Sequence, residues 1–287
     1  MKPCLSQTLT LPGTFAADIA AYAEAGCDAV EIWLTKLEDH RRHFSPEQTR
    51  QLLADYGIKP VAAAYQGGIL LSEGQQRREQ FDQFQRRLSL CQELGIPTLI
   101  LAADFADKAD LAYLDRACKS LQQVAQLAAA YDVRLALEFH TKARWCSSLE
   151  TAIALVEACR QPNLGICLDV FHFHAGPSKL HDLGLLTPEQ LFHVQVCDVS
   201  GTLREFAQDA DRILPGDGDL PLHPILERLR QISYTGWVSV EVFNPTLWQI
   251  NAVQVAAMAW QAVQRLLGNV SSPSSETRSK PEPASPR

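Results

Sequence analysis

Several absences narrow what this chain can be. Its eight cysteines form no CxxC pair, which speaks against a thiolate zinc site or a thioredoxin-like redox motif. Most sit inside apolar runs, where cysteine behaves as a small hydrophobe, so reduced buried thiols are expected rather than disulfides. No apolar run reaches the ~18 residues of a membrane span. The opening MKPCLSQ lacks the apolar core of a secretory signal, so a cytoplasmic protein with no membrane partner is expected. There is no stripe of basic residues. Net charge is -7 and the pI about 5.6, with Arg41-Arg42, Arg77-Arg78 and Arg86-Arg87 as isolated pairs, which disfavours binding nucleic acid through its phosphates. Neither GxGxxG nor GxxxxGK[ST] is present, and no GxSxG nucleophile turn.

What is present is a regular alternation. Strand-like runs fall at residues 2–8, 29–34, 59–65, 98–103, 134–140, 164–170, 191–197 and 237–243. Helical stretches separate them. Phe15, Ile19, Tyr22 and Ala23 share one helical face, and Gly26 follows as a stop. Ser45-Pro46 reads as an N-cap with Pro in the first turn of a helix over 47–56. Further helices are expected over 74–94, 110–131, 148–159, 222–232 and 246–267. Residues 171–188 read as a long loop with a short helix, and 200–220 as another long loop. Eight strand–helix units imply a parallel sheet, and at this length an α/β fold of the single-domain (β/α)8 TIM-barrel type over residues 1–268. A doubly wound open sheet would call for the phosphate loop that is missing. Residues 269–287 (NVSSPSSETRSKPEPASPR) carry too little apolar surface to order themselves and are expected to be a disordered tail.

The chemistry gathers at strand ends. LALEFH ends in Glu138 and His140, LGICLDV carries Asp169, LFHVQVCD carries His193, Gln195 and Asp198, and GWVSVEVF carries Glu241. Side chains alternate along a strand. By parity Glu138, Asp169, Gln195 and Glu241 can all point into the mouth of the barrel, where such folds keep their active sites. Taken singly, a Glu at a strand end is as readily an ion-pair partner as a ligand. Four on successive strands favour an oxygen-rich site for one divalent cation, Mg²⁺ or Mn²⁺, which would relieve the repulsion of converging carboxylates.

These segments resemble the sugar phosphate isomerase/epimerase superfamily, the xylose isomerase-like barrels. The matching pieces are AGCDAVEIW, LALEFH, PNLGICLDVFH, HVQVCD and the run from RILPGDGD through GWVSVEVF. The resemblance covers all but the tail. It implies metal ligands Glu138, Asp169, Gln195 and Glu241, with Glu138 and Glu241 as the acid/base pair. It also implies a catalytic or orienting role for His172 and substrate contacts from Arg212. His140 and Lys142, which follow the fifth strand, are candidate substrate contacts from their place in the mouth. The activity implied is isomerisation or epimerisation of a small keto sugar or polyol derivative, by proton abstraction next to a carbonyl through a metal-stabilised enediolate. The alternative is a dehydratase of the 3-dehydroshikimate or inosose type, with His172 as candidate base. A small carbohydrate-like substrate is the expected partner, and a homo-oligomer is expected from the resemblance alone. A DNA-repair endonuclease of this fold would need more histidines and a basic groove. A non-catalytic binding barrel is a further alternative. His193 and Glu31 read as polar core, His174 as a loop residue and Trp145 as a packed anchor. Trp33, Tyr65 and Phe105 read as either an apolar wall or core, and PGDGD alone is weak evidence for phosphate binding.

Overall fold

Eight parallel strands close in sequence order into a barrel in the computed structural model, which describes residues 1–106, 108 and 110–268. They are β1 Lys2–Ser6, β2 Ala29–Trp33, β3 Lys59–Gln66, β4 Thr98–Ala102, β5 Arg134–Glu138, β6 Leu164–Asp169, β7 Leu191–Val196 and β8 Trp237–Val240. The helices are α1 Phe15–Glu24, α2 Leu34–His40, α3 Pro46–Asp55, α4 Gly74–Leu94, α5 Leu111–Ala129, α6 Leu149–Cys159, α7 Val170–Ala175, α8 Leu222–Gln231 and α9 Ala252–Leu267. The expected TIM barrel is the observed one. The expected tail, residues 269–287, lies outside the described residues. Among these, no helix is long and apolar enough to cross a membrane.

Alternation along the strands builds two cores. Leu135 and Leu137, Ile166 and Leu168, Val194 and Val196, and Val238 and Val240 face outward, into the large apolar layer beneath the helices. The inner face carries Ala62, Ala64, Ile100, Ala136 and Cys167. These side chains are mostly small, which leaves room at the barrel axis for the polar groups above them. The register then sets their height. Glu138 pairs with Cys167, Asp169 with Gln195, and Gln195 with Ser239. Glu241, two residues beyond Ser239, therefore stands on the same inner face.

Helix starts follow their caps. Ser45 and Gln48 form a reciprocal capping box on α3, and Ser148 Oγ accepts from Thr151 N at 3.2 Å. Most strand ends differ from expectation by a residue or two, β1 ending at Ser6 where a 3-10 turn over Gln7–Thr10 begins, and three boundaries have a visible cause or partner. β5 stops at Glu138 because His140 N turns to donate to Cys146 O. β8 stops at Val240, although Glu241 N still donates to Val196 O. The helix expected over 246–267 is broken: a short 3-10 turn, Leu247–Gln249, precedes α9, which starts afresh where Asn251 Oδ1 accepts from Val253 N. α2 was not expected. It has seven residues, too few for a periodic pattern, and is held by buried Leu34 and Leu37 and by Lys36 on Asp18 at 2.5 Å.

Candidate active site

The C-terminal ends of the strands converge on one acidic cluster. Asp169 is fully buried and its two oxygens are divided: Oδ1 accepts from Phe171 N at 2.7 Å and caps α7, while Oδ2 accepts from Arg212 Nη1 at 2.8 Å. The same Arg212 nitrogen donates to Glu241 Oε2 at 3.0 Å. The other, Nη2, donates to Asp209 Oδ1 at 2.9 Å and meets His172 Nε2 at 3.4 Å. The guanidinium is also packed between Phe171 and Phe243, 4.4 and 5.5 Å from their ring centres. Arg212 is thus the cation at the centre of the cluster rather than a contact at its edge.

Arg212 reaches this place because its loop is anchored. Asp198 Oδ1 accepts from Val199 N and Leu220 N, and Oδ2 from Gly216 N. Backbone bonds join Asp198 to Ile213 in both directions. Gly218 fits only without a side chain, since a Cβ there would stand 2.5 Å from Asp198 Oδ1 and Val199 O. The PGDGD turn is accounted for by this anchoring.

Glu138 Oε1 lies 3.6 Å from His172 Nε2. Among the described residues, Glu138, Asp169 and His172 bring one ligand atom each to within 4.8 Å of one another, as do His140, His172 and Asp209. Gln195 is turned away from that point. Its Nε2 donates to Glu241 Oε1 at 2.9 Å and Glu31 Oε1 at 3.2 Å, and its Oε1 accepts from Cys167 Sγ. Glu31 also bonds His193 at 2.7 Å, so both belong to a polar layer beneath the site. His140 Nδ1 accepts from Lys142 N at 3.1 Å, which leaves Nε2 to carry the proton. Lys142 itself is exposed, 3.5 Å from Asp209, outside the lining of the cavity. Trp145 donates to Asp104 O as a buried anchor, and His174 sits half-buried on α7.

A cavity of about 220 Å³ opens onto Glu138, His140, His172, Asp209, Arg212 and Glu241, walled by Trp33, Tyr65, Phe105 and Phe243. Burial raises the Glu138 carboxyl well above its usual range, reinforced by Asp169 and opposed by Arg212. Burial also raises Glu241, against the pull of Arg212. The imidazoles move the other way. Burial, then neighbouring His172, pushes His140 down to about 3, and burial with Arg212 holds His172 well below 6.5. Asp209 would be raised by burial, yet Arg212 beside it brings it to about 2. The site therefore combines carboxyl groups of raised proton affinity with imidazoles of lowered proton affinity. Asp209 was missed in the sequence; lying three residues before Arg212 in an aperiodic loop, it offered only that proximity as a signal.

The family model described as xylose isomerase-like TIM barrel matches residues 19–264, and the chain belongs to that family. An inosose isomerase from Halalkalibacterium halodurans is 28% identical over 265 residues, 90% of this chain and 94% of its own length. A 3-dehydroshikimate dehydratase from Pseudomonas aeruginosa is 29% identical over 83% of this chain, but only 37% of its own length is covered. The crystal structure of the IOLI protein with a binding zinc atom superposes with a TM-score of 0.89 at 24% identity, covering 94% of this chain and 99% of that one.

Proposed function

We propose that this xylose isomerase-like barrel is a divalent-metal-dependent isomerase or epimerase of a small keto sugar or cyclic keto polyol. The observation that carries this reading is that Glu138 and Glu241, from β5 and just beyond β8, open onto one small cavity together with Arg212 and His140. The inosose isomerase, matched along nearly its whole length, supports the same reading.

The donor set fits a metal ion. Asp169, Asp209 and Glu241 bond a single buried guanidinium, and Glu138 opens onto the same cavity, an excess of carboxylates that a divalent cation would relieve. Glu138, Asp169 and Glu241 would hold it, with His172 beside the first two, and Gln195 would join them only once its amide turns from Glu31 and Cys167. Oxygen ligands of this kind suit Mg²⁺ or Mn²⁺. When bound, such an ion polarises a carbonyl oxygen.

The remaining work falls to the chain. Glu138 takes a proton from the carbon next to the carbonyl, a role that its burial, which raises its affinity for protons, favours. Glu241 returns a proton to the neighbouring carbon or the other face. His140 Nε2 donates to an oxygen that gains charge, and the Arg212 guanidinium supplies positive charge beside it. Trp33, Tyr65, Phe105 and Phe243 cover the ring face and keep water out. The test is solvent-deuterium exchange, followed by mass spectrometry, on inososes, keto sugars and 3-dehydroshikimate with Mn²⁺ added. Exchange is expected with an inosose or ketose and not in Glu138→Gln; no exchange with any of them would overturn the reading.

A dehydratase is the second reading. It is favoured by His172, a neutral imidazole that faces the cavity beside Glu138 and could serve as base for β-elimination. A conjugated product absorbing in the ultraviolet would separate it from isomerisation.

A further inference from the structure

A second cavity adjoins the first and is larger, about 590 Å³ against about 220 Å³. It lies over the ends of β2, β3 and β4 and against α4. The two share Trp33, Tyr65, Ala102 and Phe105 as a common sill, with the Trp33 and Tyr65 rings 5.3 Å apart. One ligand can therefore span both.

The larger chamber has a different character. Its charges are already spent. Arg87 is engaged by Glu38 at 2.6 and 3.1 Å, and by Tyr65 O and Gln66 Oε1. The Asp104 carboxylate takes Gly68 N and Leu71 N, each at 2.7 Å. The groups left to meet a ligand are neutral. Gln76, Gln80 and Gln83 come from successive turns of one face of α4, with Thr35 and Ser72 nearby. Gln80 reaches Gln66 only at 3.4 Å. A side-chain amide offers a donor and an acceptor together, which matches hydroxyl groups and gives no advantage to phosphate or carboxylate. Aromatic walls with convergent neutral amides suit a polyol ring.

We propose that the substrate has two parts: a ketone-bearing part held at Glu138 and Glu241, and a neutral polyhydroxylated group, a second sugar ring, held in the glutamine-lined chamber. This rests on the keto-sugar chemistry proposed above and names the substrate class more narrowly, as a glycosylated keto polyol.

The test offers inosose and D-fructose, each bare, O-glucosylated and phosphorylated, in the deuterium-exchange assay. The glucosylated compounds are expected to exceed the bare ones in kcat/KM by about tenfold or more, the worth of two added hydrogen bonds, and the phosphorylated ones to fall below them. In Gln76→Ala/Gln83→Ala the preference for the glucosylated compound is expected to disappear while the bare rate stays. Bare compounds turned over as well as glucosylated ones, a preference for phosphate, or equal losses on both compounds in the double variant would overturn the proposal. If none of the six exchanges, the proton-transfer reading fails by itself. The chamber is then judged by tryptophan fluorescence titrated with methyl β-D-glucoside. Binding that is lost in the double variant supports it, and no binding to the wild type overturns it.

Discussion

Burial acts in opposite directions on the acids and the imidazoles of this site. Glu138 and Glu241 gain affinity for protons, while His140 and His172 lose it. Glu138→Gln is expected to lower the exchange rate by about a hundredfold or more, the usual worth of a general base, with the thermal midpoint kept. His140→Gln, which retains a donor, is expected to do much less, and kcat and KM for the two variants check this. The thiols make a separate prediction. Burial pushes Cys27, Cys91 and Cys146 up to about 12, and Cys159 likewise beside Cys118. Unfolded thiols ionise first, near ~8.5. The stability this contributes is complete below that pH and is lost as pH rises towards 12. Thermal midpoints should therefore fall on the alkaline side, and iodoacetamide should label the native chain far more slowly than the urea-unfolded one. At this scale Glu138, Asp169, Gln195 and Glu241 were legible as strand ends of matched parity. The place of Arg212 was not. Its partners Asp169 and Glu241 are 43 and 29 residues away, and no local pattern encodes such a meeting.

The element that decides the site is the connection after β7. It has little regular structure, yet Asp198 gathers three backbone N–H groups from it. Gly218→Ala would drive a Cβ against Asp198 Oδ1 and Val199 O and shift the segment that carries Arg212. The expected result is a large loss of kcat with the far-ultraviolet circular dichroism unchanged. Asp198→Ala should cost about 2 kcal/mol or more by leaving buried N–H groups unpaired, read by urea denaturation. By contrast Ser148→Ala, which removes only the α6 cap, should cost about 1 kcal/mol and leave activity alone. Strands and long helices were readable because apolar periodicity repeats over many residues. α2, with its seven residues, and the break before α9 were not, since both depend on partners supplied by packing.

Across the whole molecule, the barrel concentrates acids that would otherwise repel one another. Three carboxylates, Asp169, Asp209 and Glu241, bond one buried guanidinium, with Glu138 beside them; if the proposed metal binds there, a chelator should lower the thermal midpoint and Mn²⁺ should raise it. At a hundred times its dissociation constant an ion bound only to the folded state adds about 2.7 kcal/mol, and a midpoint indifferent to both treatments would count against the metal. The amino-acid sequence by itself determined the eight-fold alternation, the closed parallel barrel and the inward parity of Glu138, Asp169, Gln195 and Glu241. These follow from periodicity, which is local. Only the tertiary structure decided that Arg212 stands among those acids, that Gln195 turns to Glu31 and Glu241, and that a glutamine-lined chamber opens beside the acidic cluster. Those features depend on the stagger of closed strands and on where aperiodic loops fold back, and both are set by contacts between residues far apart in the chain.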